Sequence, residues 1–433
     1  MNKIDEKMIG ELRDFVAKDK GVVHRHASVA HSELVDVAFL PLAAARLQQP
    51  FEIEVETHGI TSQERSGRCW MYAVQNILRE KVIENCGMKE FRLSGNYLAF
   101  YDKLEKSANM MSMAIAHANE DVNARINEYM FNGIGDGGFW EMAVDLVRKY
   151  GVVPQSIMPE TYQSEHTEQF MKLLNKLLRK NCMALRKAVQ SGEDAEAMKQ
   201  EMLKEIYRME CIAFGEPPVS FDFSYRDAEN VFHIDRGITP RMFFEKYIGI
   251  DMADYCTLIN EPTDRRPLGK LYRFHYIGSM QESNITMLNI PMEELKEACL
   301  RQLKDGKPVW FGCDSRSFGS RSHGVWDPDS FAYSELFEAD LEDGKKERLE
   351  SRGSFASHAM ILVGVNFDEN GKPERWKIEN SWGEDVGDKG YFVCSDKYFD
   401  DYVFEAIIQK QYLAPKHLAL LAQEPETLCP WEI

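Results

Sequence analysis

The chain has 433 residues and a formal net charge of −18, with 44% hydrophobic and 28% charged residues. This composition is typical of a folded globular protein large enough for two or more packed subdomains. The acidic total argues against nucleic acid as a partner, because phosphate contacts need clustered lysine and arginine. It also disfavours an anionic membrane surface.

The N-terminus and the cysteines bear on location. The segment MNKIDEKMIGELRDFVAKDKG is charged throughout and lacks the apolar centre of a signal peptide. No stretch approaches the roughly 18 apolar residues of a membrane span. The nine cysteines are scattered singly without a CxxC pair, so free thiols are expected. We therefore expect a cytoplasmic protein with no membrane contact.

The first half of the chain is predicted to be mainly helical. A helix is predicted over about Asp5–Lys18, followed by extended sequence to about residue 60. From Cys69, apolar residues recur at helical spacing as far as Gly87, a residue that ends helices. Cys69 is therefore predicted to lie in the first turn of a long buried helix. The stretch 161–214 is helix-rich and highly charged.

The second half is predicted to be mainly β-structure. Strand candidates are LYRFHYIG, ITMLNIP, PVWFGCD, AMILVGVNF, RWKIENSW and GYFVCS, with EELKEACLRQLKDG as an intervening helix. Helices followed by strands indicate an α+β fold of two lobes with a cleft between them.

Cys69 is a candidate nucleophile, although a single cysteine is more often a small buried apolar residue. A helix that begins at Cys69 directs free N–H groups and the positive end of its dipole at the sulfur, which favours a thiolate. Ser66 and Gly67 are predicted to form a tight turn beside it. The side-chain amide of Gln63, with the Cys69 backbone N–H, would supply two donors to an oxyanion.

A thiolate needs a base, and His358 is the candidate among the eleven histidines because it begins the apolar strand SHAMILVGV. Asn380 lies 22 residues further on, in IENSWG, and its carbonyl could orient the imidazole. Trp382 could cover that hydrogen bond. From the residues alone, a core histidine and a turn asparagine remain an open alternative.

Two other motifs are assigned no chemistry. The run GIGDGG at 133–138 lacks the Lys-Ser/Thr of a phosphate loop and is interpreted as a turn before a helix. His24, His26 and His31 have no partner at ligand spacing. No metal and no cofactor are expected.

The motifs QERSGRCW, SHAMILVGV and ENSWGEDVGDKGYF together resemble the bleomycin hydrolase and bacterial aminopeptidase C branch of the papain-like cysteine peptidases. The segments GDGGFWEMAVDLVRKYGVVP, PVWFGCD and GEPP extend the resemblance from about residue 20 to 430. The resemblance implies that Cys69 is the nucleophile, His358 the general base, Asn380 its orienting partner and Gln63 the oxyanion donor.

The resemblance also implies the domain organisation. Cys69 and His358 are 289 residues apart, whereas the papain pattern has roughly 130–150, so a helical insertion is expected. We expect a papain-like two-lobed fold divided into an N-terminal arm (1–60), a helical lobe (61–160), a helical insertion (161–235), a β-rich lobe (236–410) and a C-terminal arm (411–433).

The expected function is hydrolysis of short peptides. In the resembling family the chain terminus enters the cleft and pairs with the substrate amine, and the subunits form a homohexamer. Here the chain stops at CPWEI, so Glu432 and the Ile433 carboxylate are candidates for that role, and the alternative is an oligo-endopeptidase. Acyl transfer to another amine and a non-enzymatic hexameric scaffold are further alternatives.

Overall fold

The computed structural model describes residues 4–280, 283 and 285–432. The helices are α1 (Glu6–Ala17), α2 (Val22–Val29), α3 (Leu34–Ala38), α4 (Pro41–Ala45), α5 (Cys69–Cys86), α6 (Gly95–Ala116), α7 (Arg125–Asn132), α8 (Trp140–Tyr150), α9 (Tyr162–Glu165), α10 (Glu168–Ser191), α11 (Ala195–Phe214), α12 (Pro240–Tyr247), α13 (Met292–Lys304), α14 (Tyr333–Phe337), α15 (Lys345–Glu350), α16 (Asp396–Tyr402) and α17 (Pro415–Leu421). The strands are β1 (Ile53–Glu54), β2 (Phe221–Arg226), β3 (Phe232–Ile238), β4 (Tyr255–Ile259), β5 (Lys270–Phe274), β6 (Ile285–Asn289), β7 (Val309–Cys313), β8 (Gly319–Ser320), β9 (Val325–Trp326), β10 (His358–Phe367), β11 (Pro373–Glu379), β12 (Tyr391–Ser395), β13 (Val403–Gln409) and β14 (Glu426–Leu428). Long helices dominate the first half and strands the second, which confirms the predicted α+β class.

Two helix boundaries follow from local chemistry. Asp5 caps α1, since its side chain accepts a hydrogen bond of 2.8 Å from the Met8 N–H. The helix predicted to begin at Cys69 is α5, and it ends where Gly87 adopts a left-handed conformation with a φ of 62°. A residue without a Cβ takes that conformation at little cost. Both predicted helices are confirmed.

Most strands belong to one sheet. Its path is β14-β5-β6-β4-β13-β7-β10-β11-β12-β9-β8, with β1 paired alongside β10, while β2 and β3 form a separate hairpin. The strands predicted from sequence all lie in this sheet. Strands β4, β8, β9, β13 and β14 and the hairpin were not predicted.

The centre of the sheet is β13-β7-β10, in which β7 pairs antiparallel with both neighbours. The residues of these strands are almost all buried. Helix α13 packs against all three strands, and α5 packs against β7 and β10. Because these helices pack on the central strands and almost all strand residues are buried, the strands have a nearly continuous apolar sequence.

The helical part is organised around α6, which packs against α8, α10 and α11. The buried side of α10 carries Phe170, Leu174, Leu178 and Leu185 at helical spacing. The predicted helix-rich block therefore forms α9, α10 and α11. Its status as an insertion, like the division of the chain into arms and lobes, stays a prediction. Across residues 4–280, 283 and 285–432, the helices lack either the length or the continuous apolar character that a bilayer span requires.

A buried ion pair joins α5 to the sheet. Arg79 lies 3.0 Å from the Glu379 carboxylate on β11 and donates a 2.7 Å hydrogen bond to the Gly59 carbonyl. Both charged side chains are almost completely buried. A charged side chain in the protein interior is tolerated only because the opposite charge of its partner compensates the cost of burying it.

We expect Arg79→Met to lower the free energy of unfolding by about 3–5 kcal/mol, because it leaves Glu379 buried without its partner. Lys81→Met is the matched control on the same helix, since Lys81 pairs with Glu84 at the exposed surface. That change should cost no more than about 1 kcal/mol. Urea denaturation at pH 7 measures both, and equal losses in the two variants would contradict this account.

Candidate active site

Cys69 is the first residue of α5, and the loop before it is held by buried hydrogen bonds. The Ser66 hydroxyl donates to the Gln63 carbonyl at 2.6 Å, and Arg68 Nε donates to the Ser66 hydroxyl at 2.8 Å. Arg68 also pairs with Glu160 at 3.0 Å. These contacts fix the backbone that presents the sulfur.

The side-chain amide of Gln63 is held between the loop and the sheet. Its Nε2 donates to the Ser66 carbonyl at 2.6 Å, and its Oε1 accepts from the Ser381 hydroxyl at 2.8 Å. The Gln63 backbone N–H donates to the Ser381 carbonyl at 2.9 Å. A primary amide has two N–H donors, so one remains for a ligand in the cleft that Gln63 and Cys69 both line.

His358, the first residue of β10, is bound to Asn380. The imidazole Nε2 lies 2.8 Å from Asn380 Oδ1, which also accepts the Ser381 backbone N–H at 2.7 Å. An amide oxygen can only accept, so Nε2 carries the proton and Nδ1 keeps a free lone pair. The Trp382 ring stacks on the imidazole with centroids 4.7 Å apart.

These side chains meet in one cleft of about 410 Å³, which Cys69, Gln63 and His358 line together. Asn380 lies behind the imidazole. The GIGDGG run, predicted only as a turn, supplies one wall through Gly137 and Gly138. A Cβ at Gly138 would approach the Trp70 ring to 2.6 Å, so only glycine lets the wall pack this closely.

Burial controls the ionisation of the site. It raises the pKa of the Cys69 thiol, while backbone N–H groups, including that of Ala359, act in the opposite direction. Burial also lowers the pKa of His358 to about 4, opposed by the hydrogen bond to Asn380. The helix start was predicted to favour a thiolate, but burial outweighs that effect for the isolated thiol. The two groups are thus best ionised together, since each charge then offsets the cost of burying the other.

Sequence reasoning missed several residues that support the site. Ser381 touches both Gln63 and Asn380, and the Arg68–Glu160 pair holds the loop. Ser381 and Arg68 are immediate neighbours of the predicted residues, and this adjacency in sequence could have identified them. Glu160 is distant in sequence from the predicted residues, and so is Glu405, which lines the cleft. No sequence pattern identifies these two glutamates as part of the site.

A cysteine at a helix start, an imidazole held by an amide and a spare amide donor in one cleft define the site of a papain-like cysteine peptidase. The sequence pattern of the Peptidase C1-like family matches residues 3–433, and the chain belongs to that family. It is therefore a cysteine peptidase, as predicted.

Known relatives cover nearly the whole chain. Aminopeptidase C of Listeria innocua is 41% identical over 90% of this chain and 89% of its own length. Aminopeptidase G of Lactobacillus delbrueckii subsp. lactis is 39% identical over 97% and 96%. The crystal structure of PepW from Lactobacillus rhamnosis HN001 superposes with a TM-score of 0.96 at 36% identity, covering 99% of this chain and 98% of that one. The predicted family and the papain-like fold are confirmed.

We expect His358→Ala to slow alkylation of Cys69 by iodoacetamide at pH 7 by about a hundredfold, because the buried thiol then has no base to take its proton. His417→Ala is the control, since His417 is also buried but pairs with Glu294 outside the cleft. Peptide mapping by mass spectrometry gives the rate at Cys69. Equal rates in the two variants would contradict the pairing of Cys69 with His358.

Proposed function

We propose that the protein hydrolyses short peptides as an aminopeptidase, with Cys69 as nucleophile, His358 as general base, Asn380 as its orienting partner and Gln63 as oxyanion donor. One observation carries the proposal. The cleft combines a cysteine at the start of a buried helix with an imidazole whose Nε2 is occupied by an amide oxygen.

In the first half of the reaction, His358 Nδ1 takes the thiol proton and Cys69 Sγ attacks the carbonyl carbon of the peptide bond. The carbonyl oxygen becomes an oxyanion, which the spare Gln63 N–H and the Cys69 backbone N–H stabilise. The imidazolium then gives its proton to the leaving amine, and a thioester to Cys69 remains.

In the second half, His358 takes a proton from water, the hydroxide attacks the thioester and the carboxylic acid leaves. Asn380 keeps the imidazole in the tautomer that both halves need. Acyl transfer to another amine was the alternative chemistry. We favour water, because the orienting group is the amide of Asn380 and not an aspartate.

Action at the N-terminus is supported by the relatives, which carry the names aminopeptidase C and aminopeptidase G. A second candidate is cleavage of internal bonds. The position of Glu432 favours this second candidate. Glu432 is a candidate acceptor of the substrate amine, but its carboxylate pairs with Arg265 and accepts the Cys429 backbone N–H. Ile433, the other candidate acceptor, lies outside the described residues.

We expect a peptide with a free α-amine to be cleaved at least tenfold faster, in kcat/KM, than its N-acetylated counterpart. A charged hydrogen bond to the ammonium contributes about 1.5–3 kcal/mol, and acetylation removes it. Mass spectrometry of the products locates the cleaved bond.

Cys69→Ala is the control and should show no turnover while its thermal unfolding is unchanged. Turnover by that variant would refute the nucleophile. Equal rates on the two peptides, with cleavage of internal bonds, would favour the oligo-endopeptidase.

We further propose that the protein forms a homo-oligomer, and the hexamer implied by the sequence resemblance stays a prediction. Helix α1 supports association, because Met8, Leu12 and Phe15 form an apolar stripe at helical spacing. Phe15 is 73% exposed. An apolar stripe of this kind is suited to a second copy of the chain.

We expect Phe15→Asp to reduce the molar mass measured by light scattering, because it places a charge in that stripe. Arg13→Asp introduces the same side chain on the opposite side of α1 and should leave the mass unchanged. A monomeric wild type, or equal masses for both variants, would contradict the role of α1.

We place the proposed activity in the cytoplasm. All nine cysteines are free thiols, including the four that are partly exposed, Cys69, Cys211, Cys256 and Cys429. Free thiols persist in a reducing compartment, which supports this location.

A further inference from the structure

Arg321 lies against the aromatic side chain that stacks on the active-site imidazole. The Trp382 ring stacks on His358 with centroids 4.7 Å apart, and the Arg321 guanidinium carbon lies 5.0 Å from the centre of the Trp382 ring. A guanidinium at this distance from an indole is held by a cation–π interaction. Trp382 therefore keeps a positive charge close to the imidazole.

The charge of Arg321 acts on the imidazole. Burial is the main cause that lowers the pKa of His358 to about 4, the hydrogen bond to Asn380 opposes it, and the positive charge of Arg321 lowers it further. Like charges repel, so this neighbour destabilises the imidazolium that the proposed reaction forms. An anion bound to Arg321 would offset that repulsion.

Arg321 is exposed, and its guanidinium has no counterion. Its backbone carbonyl accepts the Gly387 N–H at 3.2 Å, which fixes Arg321 beside an acidic loop. Glu384, Asp385 and Asp388 belong to that loop, yet within the part of the chain that the structure describes no carboxylate forms an ion pair with Arg321. In a chain with a net charge of −18, an unpaired arginine beside the active site is a local attraction for an anion.

The position of Trp382 decides which part of a substrate Arg321 can reach. The cleft of about 410 Å³ is lined by Cys69 and His358, whereas Trp382 is not among its described lining residues and lies beyond the imidazole. In the proposed mechanism the imidazole gives its proton to the leaving amine, so that amine lies next to His358. Beyond the imidazole, the neighbours of the leaving part are Trp382 and Arg321.

A dipeptide fits this arrangement. Its leaving part is a single amino acid, whose backbone spans at most about 3.6 Å from the amide nitrogen to the carboxylate. The carboxylate therefore stays near the imidazole, where the guanidinium of a long arginine side chain can bind both of its oxygens. A longer peptide has an uncharged amide group at this place, and its carboxylate lies at least one residue further away.

We propose that Arg321, held against Trp382, forms a subsite for the free α-carboxylate of a single leaving amino acid, which makes dipeptides a preferred substrate class. The bound carboxylate also offsets the repulsion between Arg321 and the imidazolium. The proposal rests on the peptidase function proposed above and names its substrate class.

The test compares initial rates of leucine release as kcat/KM. Leucyl-leucine and leucyl-leucinamide differ only in the C-terminal charge. Trileucine and its amide form a second pair, in which that charge lies one residue further from the cleaved bond. Arg321→Gln removes the positive charge, and Arg321→Lys keeps it. Arg226→Gln is the matched control, because Arg226 is an exposed arginine over the Phe232 ring on the separate β2–β3 hairpin.

We expect the wild type to prefer leucyl-leucine over its amide by about fivefold, the factor that corresponds to an exposed ion pair. The preference should disappear in Arg321→Gln and persist in Arg321→Lys and Arg226→Gln. It should be smaller in the tripeptide pair, because solvent and salt weaken an exposed interaction with distance. Thermal unfolding verifies that each variant folds.

Three results would overturn the carboxylate subsite while Cys69-dependent hydrolysis stays intact. The first is a preference for the dipeptide that survives Arg321→Gln, and the second is its absence, or its confinement to tripeptides, in the wild type. The third is an equal loss on the dipeptide and its amide, since Arg321 would then act only on the imidazole or the fold. Absence of hydrolysis of all four peptides by the wild type would instead refute the proposed function.

Discussion

The packing of α5 against the centre of the sheet is the constraint on which the active site depends. The helix is buried along most of its length, contacts β7 and β10, and is tied to β11 by the Arg79–Glu379 pair. Its first residue is Cys69, and the first residue of β10 is His358. Because helix and strand start at the same cleft, Cys69 and His358 both line it although they are far apart in sequence.

Much of the catalytic arrangement was predictable from local sequence. The apolar spacing after Cys69 and the stop at Gly87 defined α5, and the apolar run after His358 defined β10. The neighbours of Asn380 and Gln63 identified the motifs. The roles of these residues stay predictions, although the structure brings them together as the motifs require.

The parts of the fold and the cleft that the sequence did not predict depend on tertiary structure. Strand β13 follows directly after α16 without a turn signal, and its sequence VFEAIIQ contains a glutamate where a buried strand would normally be apolar. No local pattern shows that a bulge directs Glu405 over Gly312, because register is fixed only when the strands pair. The prediction that the helix start favours a Cys69 thiolate left out the effect of burial on the thiol pKa. The burial of Cys69 depends on the folded cleft, so the sequence does not show it.

The dipeptide Asn380–Ser381 links two parts of the candidate site. Asn380 holds the imidazole, and Ser381 holds the Gln63 amide and backbone. The loop of residues 61–66 is therefore attached to the same short segment that holds the His358 imidazole. Under the proposed mechanism, the group that orients the base and the group that holds the oxyanion donor are adjacent residues, so a displacement of this dipeptide would weaken both effects together.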